Sequence, residues 1–225
     1  MVAIGYAHTQ LARVFAQRCF HLFIAMLLLV LIGPLASASS RGWIAVDIAE
    51  GFILVAAVAA VGQRKLSVLI SFLLAVPMIA FQVLAVELDH REFTAISIAF
   101  GAAFYASTTL YLLAYVFRRE VMTADKLYGA AAAYLMLGVL WSHLYGLVQY
   151  YIPGAFSAGA KKWLNVADMI YFSMTVLTST GFGDIVPYAP IAQTLVVSEE
   201  IVGVLFCAIL VARLAGIYPP RAPME

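Results

Sequence analysis

Thr178-Ser179-Thr180-Gly181-Phe182-Gly183-Asp184 is a polar, glycine-punctuated stretch in a chain that is otherwise strongly apolar. Of 225 residues, 64% are hydrophobic and 11% are charged, and the mean hydropathy is +0.98. A soluble domain is apolar over only about half its residues, so this composition points to an integral membrane protein. At membrane depth, backbone that is not helical is tolerated only where it is buried in protein or lines a water-filled path. Gly181 and Gly183 suit such backbone, because glycine reaches positive φ at little cost.

The flanks of the stretch set its depth. The apolar run before it, Asp168 to Thr178, is too short to cross a hydrocarbon core that takes about 20 helical residues, so it is expected to be re-entrant. The run after it, 190–217, is long enough to span and is stopped by Pro219-Pro220. Working back toward the N-terminus, further spans are expected at 20–37, 43–62, 66–86, 93–117 and 127–151. Pro77 should kink the third of these, because its ring removes an amide donor. Pro153-Gly154 ends the fifth, and 154–166 reads as loop.

Thr178 to Asp184 resembles the TTVGYGD filter signature of potassium channels, with Ser179 for the second Thr, Thr180 for Val and Phe182 for Tyr. None of these exchanges removes a backbone carbonyl. The resemblance continues through Tyr171-Phe172-Ser173-Met174-Thr175-Val176-Leu177, which is similar to the pore helix. It reaches Glu199, Gly203 and Ala212-Arg213-Leu214 on the following helix. Upstream, Thr123 to Gly129 with Tyr134, Gly138 and Trp141 is similar to the outer pore helix of small bacterial channels. The resemblance implies an all-α membrane fold of the bacterial six-transmembrane type, with six transmembrane helices, a re-entrant pore helix and filter loop, and a tetrameric pore. Residues 1–120 would form a four-helix peripheral domain like an uncharged voltage sensor, 121–217 the pore domain, and 218–225 a short tail.

In that family, carbonyls from four copies replace the hydration shell of potassium. The implied ligands here are Ser179, Thr180, Gly181, Phe182 and Gly183, with the Ser179 hydroxyl innermost. Serine lacks the methyl that restricts threonine rotamers, so a looser inner site and softer selectivity are expected. Thr180 adds a hydroxyl that must find a partner if buried. Tyr171 and Asp184 are expected to brace the filter through a hydrogen bond, the alternative for Asp184 being a solvated charge at the mouth.

Glu199 and Glu200 lie inside an apolar span, where acids are costly unless they face protein or water. Glu199 is expected behind the filter as a structural brace, with proton sensing as the alternative role. Gly203 matches a hinge glycine and would serve either bending or close packing. Val204, Cys207, Val211 and Ala215 recur at helical spacing and would line the pore, unless they form a plain packing stripe. Asp47 and Glu50 share a helical face, and with Glu87, Asp89 and Glu92 they make either an extracellular cation site or a solvated rim. His21 and His143 are lone histidines on apolar helices, more commonly satisfied core residues than haem ligands. Cys19 and Cys207 spell neither a disulfide framework nor a metal motif.

Net charge is +1 and no basic arm appears, so no nucleic-acid partner is expected. Arg13 and Arg18 before an apolar run imitate a signal peptide, although a signal-anchor fits the many later spans better. With a cytoplasmic N-terminus, Arg13, Arg18, Arg64, Lys65, Arg118, Arg119, Lys126, Arg213 and Arg221 lie inside. Only Arg41, Arg91, Lys161 and Lys162 then lie outside. This asymmetry is expected to place both termini in the cytoplasm, and the resemblance to bacterial channels implies a bacterial plasma (inner) membrane. The fourth span, Phe93 to Phe117, carries no Lys or Arg, so weak or no voltage dependence is expected. With 218–225 alone after the last span, no cytoplasmic gating domain is expected.

The resulting expectation is a passive potassium-selective homotetramer without enzymatic chemistry or cofactor. Its partners would be three further copies of itself, membrane lipid and potassium ions. A non-selective cation channel and a non-conducting membrane sensor or scaffold are the alternatives. The absence of repeated broken helices argues against a secondary transporter.

Overall fold

Apolar runs in lipid satisfy their backbone polar groups within the segment, and the secondary structure follows that rule. The computed structural model describes residues 17–37, 53, 56–57, 65–88, 90–118, 122–159, 161 and 163–215. Its elements are α1 (Arg18–Ser37), α2 (Lys65–Leu88), α3 (Arg91–Val116), α4 (Ala124–Tyr151), β1 (Phe156–Ser157), α5 (Val166–Leu177), β2 (Val186–Pro187) and α6 (Pro190–Ala215). Among the described residues four helices, α2 over Leu66–Ala85, α3, α4 and α6, are long and apolar enough to cross a membrane. The apolar part of α1 is shorter, Arg18–Ile32. The span expected at 43–62 lies outside the described residues except for Ile53, Ala56 and Ala57, which are helical. Also outside them are 1–16, Asp47, Glu50, Asp89 and the tail 218–225.

Pro77 lies within α2, as expected from the sequence. At 12 residues, α5 is too short to cross, in agreement with its length in the sequence. The loop expected at 154–166 holds one further element. There β1 pairs antiparallel with β2, Phe156 opposite Pro187 and Ser157 opposite Val186. Strands of two residues have no periodicity to read, so the pairing had no signal in the sequence.

Helix contacts follow the small and buried residues. The stripe Cys19, Leu22, Met26 and Leu29 turns α1 toward α4 and α5. Ser67, Ser71, Ala75 and Met78 form the buried stripe of α2, which packs on α3. Small residues let helix backbones approach closely in lipid, and the Ser97 hydroxyl adds a hydrogen bond to the Met78 carbonyl at 2.9 Å. In turn α3 packs along α4, so the described helices α1 to α3 and the later helices share one continuous core. Asp125, in the first turn of α4, accepts from the Cys19 amide at 3.0 Å and the Tyr115 hydroxyl at 2.8 Å. That carboxylate ties the ends of α1, α3 and α4 together. The opposite face of α2 leaves Leu66, Leu69, Phe72 and Leu73 exposed, as a lipid-facing surface would.

Candidate functional site

The site is built around α5, and its start is fixed by a reciprocal cap. Asn165 Oδ1 accepts from the Asp168 amide at 2.8 Å, while Asp168 Oδ2 accepts from the Asn165 amide at 3.1 Å. This capping box satisfies two of the donors that a helix start leaves unpaired. Asp168 also pairs with Lys161 Nζ at 2.8 Å. Just upstream, the Gln149 side chain of α4 clamps Leu164 from both sides, donating to its carbonyl at 2.8 Å and accepting from its amide at 3.0 Å.

Every one of the last four carbonyls of α5 has a partner. Met174 O accepts from the Thr178 amide, Val176 O from Ser179, and Thr175 O from both Thr180 and Gly181. The Ser179 and Thr180 bonds together form a Schellman closure, with Ser179 in the left-handed position at φ 55°. The fourth carbonyl, Leu177 O, accepts from the Tyr134 hydroxyl of α4 at 2.9 Å.

Beyond Ser179, the left-handed conformation recurs at every second residue. Gly181 has φ 53° and Gly183 φ 79°, while Thr180 and Phe182 stay at negative φ. Alternation of this kind turns successive N–H groups toward one side, leaving the carbonyls to the other. The chain itself leaves 178–184 exposed. The loop is held from three directions. The Phe182 ring stacks parallel to Tyr171 of α5, with centroids 6.4 Å apart and 1° between planes. After the loop, Ile185 is buried, and the Tyr188 amide donates to Ala155 O at 2.8 Å beside the β1–β2 pair. Within the loop, the Thr178 hydroxyl donates to Met174 O at 2.7 Å, so the Thr180 hydroxyl is the donor in their 2.8 Å contact.

Asp184 Oδ1 accepts from the Ile185 amide at 3.1 Å. The Tyr171 phenol is held above its ordinary pKa, by desolvation first and then by a hydrogen bond to the Asp184 carboxylate and by its charge. The pair expected from the sequence to brace the loop are therefore neighbours.

Glu199 is fully buried behind α5. Its carboxyl is hydrogen-bonded to the Tyr145 hydroxyl of α4 and the Ser173 hydroxyl of α5. Gly203, one turn along α6, lies against the Leu177 carbonyl so closely that a Cβ would collide with it. The close contact supplies a packing reason for glycine at 203. On α6, Ala192, Glu199, Gly203 and Phe206 are buried, whereas Val204, Cys207, Val211 and Ala215 are exposed. Glu200 is exposed as well. His143 is buried, its Nδ1 2.8 Å from Val139 O and its ring edge against Gly101. His21 is exposed, with Nδ1 3.1 Å from Gln17 O. Glu87 and Glu92 are exposed, and no group of three His, Cys, Asp or Glu among the described residues has the arrangement of a metal site.

Residues 130–218 match the Ion channel family model. The matched segment contains α5, the 178–184 loop and α6 in full. Over 84 residues the chain is 35% identical to two pore potassium channel c of Oryza sativa subsp. japonica, covering 37% of this chain and 17% of that protein. Over 60 residues it is 37% identical to an uncharacterized protein of Methanothermus fervidus, covering 27% of this chain and 9% of that one. The matched segments thus span less than a fifth of either relative. No solved structure matches.

Several contacts were not anticipated from the sequence. The Asn165–Asp168 cap was legible, since Asn-x-x-Asp before an apolar run is a helix-start signature. The Gln149 clamp, the Tyr145–Glu199 contact and the stacking of Arg91 over Tyr150 and Trp163, at 5.6 and 5.0 Å, join distant segments and leave no local trace. Ser173 offered one hint: a hydroxyl in the middle of an apolar helix needs a partner when buried.

Proposed function

We propose that four copies of this chain assemble into a passive, potassium-selective channel, with Ser179, Thr180, Gly181, Phe182 and Gly183 of each copy lining the axis. One observation carries the reading: left-handed backbone at 179, 181 and 183, on an exposed loop that leaves the C-terminal end of a short apolar helix. Carbonyls aligned in this way from four subunits can replace the water around a monovalent cation. The partially negative end of α5 faces the same region and favours a cation there.

Assembly is supported by what a single chain leaves uncovered. The face of α6 bearing Val197, Ile201, Val204, Ile209 and Val211 is exposed, beside the exposed loop. Three further copies would cover part of that face, and the remainder, with Val204, Cys207, Val211 and Ala215, would line the path below the filter. The similarity to a plant potassium channel and to the ion channel family over the same segment supports the same reading. Both termini would be cytoplasmic in a bacterial plasma membrane. Voltage dependence would be weak, since Phe93 to Phe117 has no Lys or Arg.

Purified protein in liposomes tests this. Potassium flux with a reversal potential set by potassium in mixed potassium and sodium is the expected result. Comparable permeabilities would replace selectivity with a general cation pathway, and no flux at all would leave a sensor or scaffold.

A further inference from the structure

Glu199, Ser173 and Gly138 make a hydrogen-bond problem with a countable answer. Ser173 Oγ lies 2.6 Å from the Gly138 carbonyl oxygen of α4 and is also hydrogen-bonded to Glu199 Oε1. Glu199 Oε2 is hydrogen-bonded to the Tyr145 hydroxyl. Glu199, Ser173 and Tyr145 are all fully buried. A serine hydroxyl carries one proton, a carbonyl carries none, and an ionised carboxylate only accepts. With Glu199 ionised, Ser173 can satisfy either Gly138 or Glu199. The contact it fails to satisfy then presses two lone-pair-bearing oxygens together in a dry site.

One additional proton resolves both contacts. The geometry points to Glu199 as a neutral carboxylic acid that donates from Oε1 to Ser173 Oγ, Ser173 donating onward to Gly138 O while Tyr145 donates to Oε2. Every donor then has an acceptor, and no charge is buried. An unpaired carboxylate away from water is far costlier than a hydrogen-bonded neutral group. Among the described residues no cation pairs with it: the ion pair between described side chains, Lys161–Asp168, lies at the start of α5. The groups that face Glu199 are Tyr145 and Ser173, with the Tyr134 phenol of α4 nearby.

The resulting chain of bonds has a direction, from α6 through the middle of α5 to α4. It makes Glu199 a positioning residue, acting on the 178–184 loop through Ser173 and the helix that carries both. The effect on selectivity rests on the proposed channel reading; the location of the proton does not.

Glu199→Gln separates the two protonation states. One of its amide N–H groups would donate to Ser173 and its carbonyl would accept from Tyr145, so it reproduces both contacts of the neutral acid, with a second N–H to spare, and cannot reproduce a carboxylate that accepts from both. We expect E199Q to keep the wild-type potassium-to-sodium permeability ratio, while E199A and S173A lower it about tenfold, the equivalent of one well-made hydrogen bond. Ser173→Thr, which keeps the hydroxyl, should restore the ratio. Infrared spectra of the purified protein at neutral pH should show a protonated-carboxyl stretch that disappears in E199Q. Absence of that band, or an E199Q variant as damaged as E199A, would overturn the proposal. If the wild type carries no flux, the channel reading falls while the infrared band still decides where the proton is.

Discussion

The hydroxyl of Tyr134 on α4 donates to the Leu177 carbonyl at the end of α5, 2.9 Å away, and Gly203 of α6 rests on the same carbonyl. A terminal helix carbonyl has no partner of its own within the helix. Here one oxygen becomes the meeting point of three helices, directly beneath the first residue of the loop. The Glu199 network lies one turn away along α6, so α5 is held at its middle and at its end by the same two neighbours.

The Gly203 contact fixes the sign of a substitution. In an exposed helix, Gly→Ala stabilises by about 1 kcal/mol. At 203 the new Cβ meets backbone atoms that have no rotamer to escape into, so we expect Gly203→Ala to destabilise by about 1–3 kcal/mol. Thermal unfolding of the purified protein measures it. A higher melting temperature would show that bending, and not packing, is what 203 requires.

Ser179 separates the needs of the fold from those of the loop. A non-glycine residue at positive φ costs roughly 1–2 kcal/mol, and the left-handed position closing a Schellman motif prefers glycine. Ser179→Gly should therefore raise thermal stability and, on the proposed channel reading, remove a hydroxyl from the ion path and lower potassium over sodium selectivity. Gly181→Ala should do the opposite to stability, although no atom within 4 Å of its Cβ would obstruct it. Melting curves and reversal potentials of the two variants together check the pair.

The start of α5 depends on its cap and hardly on its ion pair. Asn165→Ala should cost about 1 kcal/mol, the usual loss for a helix N-cap. Lys161→Ala should change stability by no more than about 1 kcal/mol, because its side chain is 59% exposed and water screens the pair with Asp168. Denaturation of both variants at matched ionic strength gives the comparison. Equal losses would mean that the cap is not what holds the helix start.

Tyr171→Phe keeps the ring that stacks on Phe182 and removes the hydroxyl whose pKa Asp184 helps to raise. The phenol's pKa is raised in the folded state, so its contribution is fully present below the ordinary value of 10.0 and is lost as pH rises through the higher folded value. On the proposed channel reading, wild-type selectivity should stay flat from neutral pH up to that ordinary value as far as this group is concerned. The variant should be less selective throughout the range. A variant indistinguishable from wild type would leave Asp184 as a solvated charge at the mouth.

Much of this arrangement was legible residue by residue. The short run before Thr178 announced a helix that cannot cross, and α5 ends at Leu177 with Thr178 as its cap. Gly181 and Gly183 announced irregular backbone, and both have positive φ. Ser179 did not, because nothing about serine marks it for the left-handed region. It adopts that conformation to close the carbonyls of α5. His143 was readable as a buried helix residue but not as the neighbour of Gly101, which lies on another helix.

Membrane class, helix lengths and the irregular loop came from the sequence alone, since hydropathy, span length and glycine's freedom in φ are properties of a residue and its near neighbours. Tertiary structure decided which polar atoms meet. Glu199 finds Ser173 across 26 positions and Tyr145 across 54, and Tyr134 reaches Leu177 across 43. Buried hydrogen bonds of this kind depend on how whole helices cross, and helix crossing is set by small and large side chains on several elements at once, a quantity no single stretch of sequence contains.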